Sequence, residues 1–244
     1  MKSGIVPVKN VARLSAASRA LLQRAPGAPG IGLVDGEAGF GKSTATAWLS
    51  NQTPSIYVRA IALWTPSAML SAMCRELRVA SGGSCSQMLD RIVETVSRTG
   101  QSVFVDEVDY IIKKTTLIET LRDLHDIATV PVIMIGESGI MERIGHLRRF
   151  TSRIAEHVTF QPLDEADAGL IADQLCSVKI KPDLLHQILR DTRGNCRNIV
   201  VSLARAEQIA KSSGIDEIGC DHVGKRKLFT GGNDAAGQTQ PGAR

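Results

Sequence analysis

A glycine-rich loop that ends in a lysine and a hydroxyl residue is the part of this sequence best suited to chemistry. Gly36, Gly41, Lys42 and Ser43 fit the pattern Gly-x-x-x-x-Gly-Lys-Ser/Thr in full. Glycines let the backbone curl so that its N–H groups point at phosphate oxygens, and a following helix presents its positive N-terminus to the same anion. The pattern therefore predicts a nucleoside triphosphate site, in which Lys42 reaches the β- and γ-phosphates and the Ser43 hydroxyl binds Mg²⁺. The residues of this predicted loop are Gly36, Glu37, Ala38, Gly39, Phe40, Gly41, Lys42, Ser43 and Thr44.

Two adjacent carboxylates, Asp106 and Glu107, form the second candidate site. They follow an apolar run at residues 102–105, as expected where a buried strand ends. The first carboxylate can enter the Mg²⁺ shell, and the second can polarise the water that attacks the γ-phosphate. Alone, such a run is more often a strand entering a polar loop. After a complete phosphate loop it predicts ATP hydrolysis, with Asp106 as a metal ligand and Glu107 as the catalytic base.

Alternating strand and helix patterns must bring these two sites together. Strands are predicted at residues 31–34, 55–61, 102–105, 130–135 and 155–160. Helical patterns separate them, including one that starts at the Thr-Pro pair of residues 65–66 and continues to a glycine-rich break at residues 81–84. This alternation predicts an α/β fold, with a parallel five-stranded sheet sandwiched by helices.

The pattern changes after residue 161, where only helical periodicity remains. Helices are predicted at residues 165–176, 182–192 and 197–212, which suggests a small all-helical domain. From residue 230 onward the composition cannot supply a buried core. The chain is therefore expected to divide into a nucleotide-binding α/β domain at residues 1–161, a helical lid domain at residues 162–229 and a disordered tail at residues 230–244.

Composition is that of an ordinary globular protein, with 43% hydrophobic residues among 244 and no apolar run approaching the length of a membrane span. The five cysteines are odd in number and form no Cys-x-x-Cys pair, which favours reduced thiols and a cytoplasmic location. The net charge of +4 permits nucleic-acid binding without requiring it. Residues 1–34 are basic and lack acidic residues, as a transit peptide would be, but a core strand follows directly, which favours a helix that belongs to the fold.

These motifs together resemble an AAA+ ATPase, and the resemblance extends over most of residues 1–225. Within that superfamily the chain is most similar to the AAA+ module of the phage Mu transposition protein B family. Two of the stretches that carry the resemblance, a Thr-Pro-Ser helix start and Phe-Thr-Ser-Arg-Ile, favour this family over other AAA+ ATPases. The Mu family protein carries an additional N-terminal DNA-binding domain, where this chain has only residues 1–30. The implied fold is an AAA+ P-loop NTPase with a helical lid. The stretches that carry the resemblance are residues 31–43, 64–67, 105–110, 132–137 and 150–154.

The resemblance implies a sensor residue at the end of the fourth strand. In AAA+ proteins this residue is commonly an asparagine that orients the attacking water. The corresponding residue here is Glu137, which departs from the usual type. Ser138 is the alternative sensor, and a carboxylate at a helix N-terminus is the structural alternative for Glu137.

Two arginines are implied to reach the γ-phosphate. The stretch that contains Arg153 resembles the Ser-Arg box of clamp loaders, in which the arginine acts on the nucleotide of the neighbouring subunit; Arg148 and Arg149 are the alternatives. In the best-known case, a guanidinium supplied in trans increases the rate about 10³–10⁵-fold. Arg197, in a Gly-Asn-Cys-Arg stretch, resembles the second sensor of the lid helix and would touch the γ-phosphate of its own chain.

An arginine supplied in trans requires head-to-tail oligomers, which close into rings or continue as helical filaments. The resemblance implies filaments on double-stranded DNA that deliver target DNA to a transposase and stimulate it, in the bacterial host cytoplasm if the protein is encoded by a phage or transposon. Contacts with DNA phosphates would be largely independent of sequence. Solvated helix faces are the alternative for each candidate cation. The candidates are Lys113, Lys114, Arg75 and Arg78.

Two other functions fit the same motifs. One is a different AAA+ machine, such as a clamp-loader-like or secretion-associated ATPase. The other is a nucleotide-dependent switch that assembles on a partner protein and hardly turns over.

Overall fold

Five strands form one parallel sheet, which confirms the predicted α/β fold class. The computed structural model describes residues 1–2, 4–224 and 227–229, so the predicted disordered tail at residues 230–244 lies outside the described residues. The order across the sheet is β2-β3-β4-β1-β5. The strands are β1 (Ile31–Gly36), β2 (Ser55–Arg59), β3 (Ser102–Asp106), β4 (Val132–Ile135) and β5 (Ile154–Phe160).

The order of the strands determines which residues meet at the carboxyl edge of the sheet. β1 lies between β4 and β5, and β3 lies between β2 and β4. Val34 of β1 pairs with Ile135 of β4, and Arg59 of β2 pairs with Asp106 of β3. Because all five strands are parallel, the loops after β1, β3 and β4 start at the same edge, where ligands bind in open α/β sheets. This edge therefore collects the phosphate loop, the Asp-Glu pair and Glu137.

Seven helices complete the part of the chain that contains the sheet. Three of them, α3 to α5, cover a core that includes Ile31, Leu33, Val103 and Met134, each at most 1% exposed. The segment between β4 and β5 forms two short helices. The helices are α1 (Lys9–Leu22), α2 (Lys42–Ser50), α3 (Pro66–Glu76), α4 (Cys85–Thr99), α5 (Thr115–Ala128), α6 (Ile140–Ile144) and α7 (Arg148–Thr151).

The helix that starts at Pro66 ends earlier than the sequence pattern predicts. Thr65 caps it as expected, since its side chain accepts a hydrogen bond from the Ala68 N–H. The helix stops at Glu76 because Arg78 adopts a left-handed conformation with φ of 58°. The Val79 N–H then donates to the Cys74 carbonyl over 3.0 Å, which satisfies a carbonyl at the helix end.

The second part of the chain is not all-helical, which corrects the prediction for it. Besides its helices it contains two short parallel strands, β6 (Lys179–Ile180) and β7 (Glu217–Ile218). They pair because the Lys179 N–H donates to Asp216 and the Lys181 N–H donates to Ile218, each over 2.8 Å. The helices are α8 (Glu165–Leu175), α9 (Pro182–Thr192), α10 (Cys196–Ser212) and α11 (Cys220–Val223).

The described part of the chain divides into two compact units, residues 10–161 and residues 1–9 with the described residues from 162 onward. Residues 1–9 thus group with the helical unit, whereas the sequence analysis assigned them to the nucleotide-binding domain. The reason is hydrogen bonding: the Lys2 N–H donates to the Leu175 carbonyl over 2.7 Å, and the Lys9 N–H donates to Asp167 over 3.0 Å. No helix among the described residues is long and apolar enough to cross a membrane.

Candidate nucleotide-binding site

The phosphate loop connects β1 to α2 and depends on three glycines with positive φ. Gly36, Gly39 and Gly41 have φ values of 142°, 84° and 92°, a range that other residues adopt at a cost. A Cβ at Gly36 would lie 2.8 Å from the Phe160 carbonyl oxygen on β5. Gly41 is the N-cap of α2 and provides no side-chain hydrogen bond, so N–H groups of the first turn are left for another acceptor. This arrangement suits an anion.

Lys42 lies across this loop. Its side chain is buried, and its Nζ donates to the carbonyl oxygens of Gly36 and Glu37 over 2.6 and 2.9 Å. Burial lowers the pKa of the Lys42 ammonium, while nearby carboxylates oppose this shift. One ammonium therefore faces four negative groups from two segments, one that starts at the end of β3 and one that follows β4, a balance that an added phosphate and a divalent cation would change. These groups are Glu137, Asp106, Asp109 and Glu107.

Asp106 is fixed at the end of β3 by two hydrogen bonds. The Glu107 N–H donates to its Oδ1 over 2.8 Å, and the Tyr57 hydroxyl donates to its Oδ2 over 2.5 Å. The Asp106 residue is only 2% exposed. Burial, followed by the bond to Asp106, raises the pKa of Tyr57 well above its ordinary value, so the phenol keeps its proton. The carboxylate is thus oriented by partners on two strands.

Glu107 is paired with an arginine on the neighbouring strand. Its φ of 57° is left-handed, and its Oε1 accepts a hydrogen bond from Arg59 Nη2 over 2.7 Å. The same bond raises the pKa of Arg59. Arg59 is largely exposed and Glu107 is about one-third exposed, at 66% and 30%. The carboxylate predicted to polarise water is therefore held by a cation that solvent can reach.

Glu137 is positioned through its backbone by Asp109. Asp109 lies in a 3₁₀ turn, residues Val108–Tyr110, directly after the Asp-Glu pair. Its Oδ2 accepts a hydrogen bond from the Glu137 N–H over 2.7 Å, and its Oδ1 accepts one from Arg143 over 2.6 Å. A Cβ at Gly136 would lie 2.5 Å from Asp109 Oδ2 and 2.1 Å from Ile140 Cδ1, so any larger residue would displace these two side chains. Among the carboxylates that raise the pKa of Lys42, Glu137 has the largest effect.

The protein groups at this edge fit a magnesium ion that is held jointly with a nucleotide. No three His, Cys, Asp or Glu side chains within the described ranges are placed to hold a metal by themselves. Mg²⁺ in nucleotide sites takes only one or two protein oxygens and completes its shell with phosphates and water. Asp106 offers a buried carboxylate and Ser43 offers a hydroxyl at the start of α2. Both are the hard oxygen donors that this ion prefers.

The two predicted arginines lie in different units. Arg153 precedes β5, and its Nε donates to Asp126 of α5 over 2.8 Å, which raises the pKa of the guanidinium. Its alternatives, Arg148 and Arg149, are exposed on α7. Arg197 is exposed in the first turn of α10, in the helical unit. The roles of all these arginines remain predictions.

The four cations proposed for DNA differ in their surroundings. Lys113 and Arg78 are exposed, and Arg75 is exposed and donates to the Ser71 hydroxyl over 2.9 Å. Lys114 instead binds two carbonyls, those of Ala62 and Trp64, over 2.7 and 2.8 Å. These two bonds give Lys114 a structural role, because they fasten the loop after β2.

Sequence reasoning missed three residues that hold the predicted ones: Tyr57, Arg59 and Asp109. Tyr57 and Arg59 are two positions apart on β2 and therefore project to the same face of the sheet. That alternation is visible in the sequence, but the pairing of β2 with β3 is not. Asp109 follows Asp106 by one turn, a spacing that predicts proximity but not which groups it binds.

The sheet order, the phosphate loop after β1 and the Asp-Glu pair after β3 define the fold of the AAA+ P-loop NTPases. The sequence model of the family described as "AAA domain" matches residues 24–144, a range that includes Lys42, Asp106 and Glu137 and ends before Arg153. This match and the structural similarities agree on the AAA+ fold. No curated protein matches the sequence.

Three solved structures are similar to this chain. The Orc1 protein of Aeropyrum pernix, in complex with DNA, has a TM-score of 0.65 at 21% identity over 88% of this chain and 62% of its own. Cdc6p of Pyrobaculum aerophilum has a TM-score of 0.61 at 17% identity, over 88% of this chain and 64% of its own. The RuvB Holliday junction branch migration motor of Thermotoga maritima has a TM-score of 0.61 at 20% identity, over 89% of this chain and 67% of its own. These similarities concern the fold.

Proposed function

We propose that this chain binds ATP with Mg²⁺ and hydrolyses it. The observation that carries the proposal is the meeting of Lys42, Asp106 and Glu107 at one edge of the sheet, with the carboxylates close enough to influence the Lys42 ammonium. Lys42 would exchange its two loop carbonyls for β- and γ-phosphate oxygens, and N–H groups of the loop and of α2 would hold the phosphate chain. Ser43 and Asp106 would hold the metal ion.

Glu107 would polarise the attacking water, a role that requires its carboxylate to turn away from Arg59. When bound, Mg²⁺ neutralises charge on the phosphates and on the leaving group. Glu137, whose backbone N–H is held by Asp109, would contact the water rather than the γ-phosphate, because two negative groups repel each other.

Two variants test this function. Lys42→Ala should abolish binding of a fluorescent ATP analogue, because it removes the buried ammonium. Glu107→Gln should bind the analogue as wild type does and lose most steady-state phosphate release, because it keeps the shape of the side chain and removes the base. Arg98→Ala, at an exposed position of α4, is the control. Undiminished nucleotide binding by Lys42→Ala would contradict the phosphate-loop assignment.

We further propose that the chain assembles head to tail on double-stranded DNA in an ATP-dependent manner and delivers target DNA to a transposase. Support comes from the resemblance to the Mu transposition protein B family, from the exposed Arg153, and from the fold similarity to an Orc1 protein in complex with DNA. Electron microscopy with ATP, with and without duplex DNA, is the test. DNA-wrapped filaments are expected, and closed rings that form equally without DNA would contradict the proposal.

The ion pair between Arg59 and Glu107 favours a second candidate, a nucleotide-dependent assembly switch with little turnover. If Glu107 stays on Arg59, wild-type phosphate release should be no faster than that of Glu107→Gln. Arg59→Ala should then increase turnover by up to about fivefold, since an exposed ion pair contributes at most about 1 kcal/mol. Wild-type turnover far above Glu107→Gln, with no gain in Arg59→Ala, would exclude the switch.

A further inference from the structure

Tyr57 lies between the two elements that carry the proposed metal ligands. On β2, Ile56 and Val58 enter the core, so Tyr57 projects to the opposite face. Its hydroxyl donates to Asp106 Oδ2 over 2.5 Å, and the nearby side chain of Thr46 on α2 partly offsets the rise in the pKa of Tyr57. Thr46 in turn donates to the carbonyls of Lys42 and Ser43, over 2.9 and 3.2 Å. The phenol thus joins the strand end that carries Asp106 to the first turn of the helix that carries Ser43.

The hydrogen bond from Tyr57 prevents a rotation of the Asp106 carboxylate that the backbone hydrogen bond alone would allow. The Glu107 N–H holds Oδ1, which by itself would still let the carboxylate plane rotate. The Tyr57 hydroxyl holds Oδ2, so both oxygens are directed, and each keeps a lone pair for a cation. Partners of this kind orient metal-binding carboxylates, and their loss typically weakens metal affinity about 10–100-fold.

We infer that Tyr57 is a positioning residue for magnesium, which sets the Mg²⁺ affinity of the nucleotide complex by orienting Asp106. The inference deepens the proposed function and rests on it. Tyr57 should affect the affinity for Mg²⁺ and not the affinity for the nucleotide, because it contacts Asp106 and Thr46, and neither is part of the phosphate loop. A merely structural tyrosine would instead support the packing of α2 on β2 and change stability alone.

The test is Tyr57→Phe in the full chain, which removes one oxygen and keeps the ring. A fluorescent ATP analogue is titrated at fixed protein concentration, first in excess EDTA and then against rising Mg²⁺. We expect unchanged affinity in EDTA, and about a tenfold higher Mg²⁺ concentration at the midpoint of the metal-dependent change. Excess Mg²⁺ should restore binding, and with it phosphate release, to the wild-type level.

Tyr110→Phe is the matched control, because the chain has only two tyrosines and Tyr110 is 52% exposed. It should keep the wild-type midpoint. Thermal unfolding of both variants separates a loss of stability from a loss of metal affinity. A Tyr57→Phe midpoint equal to that of wild type would overturn the inference even if its melting temperature falls. Failure of the wild-type chain to bind the analogue at all would overturn the proposed function as well, and the two outcomes are therefore distinguishable.

Discussion

At the scale of single residues, the site is defined by the electrostatic surroundings of one buried ammonium. Burial weakens the protonated form of Lys42, and four carboxylates partly restore it. The sequence predicts the lysine and three of the carboxylates, Asp106 and Glu107 through a local motif and Glu137 through the family resemblance. It cannot predict how far burial shifts the lysine, since that depends on how tightly the loop closes over it. The lowered pKa of Lys42 can therefore be inferred only from the structure.

This lowered pKa predicts a pH dependence. Only the protonated ammonium attracts phosphate, so affinity for the ATP analogue should be complete below the lowered pKa and decline as pH rises through it. In the free protein the decline should begin at lower pH than the ordinary lysine value of 10.5 would allow. Titration from neutral pH to about 10.5 measures it, and Lys42→Arg should lose the decline, because arginine stays charged. An identical decline in Lys42→Arg would assign it to another group.

At the scale of elements, the carboxyl edge of the sheet is built by contacts between neighbouring strands. β2 supplies partners to both carboxylates of β3, through Tyr57 and Arg59, and the turn after β3 supplies Asp109 to the segment after β4. The strands β3 and β4 were predictable because each contains a continuous, fully buried apolar run. The order of the strands was not, since it depends on contacts between residues far apart in sequence, such as Arg59 with Asp106.

Two further differences have local causes that the sequence hides. The helix from Pro66 ends at Glu76 because Arg78, a non-glycine residue, takes the left-handed conformation that glycine usually adopts after a helix end. The strands β6 and β7 have two residues each, which is too few to produce a recognisable alternation of apolar and polar residues. By contrast, both ends of α4 have local signals in the sequence, because Ser84 caps its start with Gln87 and Gly100 ends it.

The link between the turn after β3 and the segment after β4 gives a second prediction. Asp109→Ala should leave the Glu137 N–H and the Arg143 guanidinium without their shared acceptor. The expected loss is about 0.5–1.5 kcal/mol of unfolding free energy, since the exposed donors regain water, together with slower phosphate release at saturating ATP, because Glu137 is no longer held. Urea unfolding and steady-state kinetics measure the two effects. Asp109→Asn keeps an acceptor for one donor and should fall between wild type and Asp109→Ala.

At the scale of the whole molecule, the proposed assembly depends on an arginine that the free chain already uses. Arg153 is paired with Asp126, and Asp126 also lies 4.0 Å from Arg122. A neighbouring γ-phosphate would have to replace Asp126 as the partner of Arg153. Arg153 was predicted through the family resemblance. The competing carboxylate, Asp126, lies on another element, so the sequence around Arg153 does not indicate it.

This competition predicts opposite effects for two variants. Arg153→Ala should keep nucleotide binding and lose the rise of turnover with protein concentration. Asp126→Asn should move that rise to lower protein concentration, because the guanidinium no longer exchanges a full negative charge for the phosphate. Phosphate release across a dilution series checks both. If Asp126→Asn behaves as wild type while Arg153→Ala is inactive, the ion pair plays no part in assembly.

The ion pair between Arg153 and Asp126 would also affect how a head-to-tail filament grows. In any open head-to-tail series, one terminal subunit has its arginine still bound to its own aspartate, and the opposite terminal subunit has a nucleotide that no neighbour touches. The two tips then differ chemically, so subunits should join and leave at unequal rates. A filament of this kind would lengthen in one preferred direction, and its nucleotide would be hydrolysed last at the tip that lacks a neighbour's arginine.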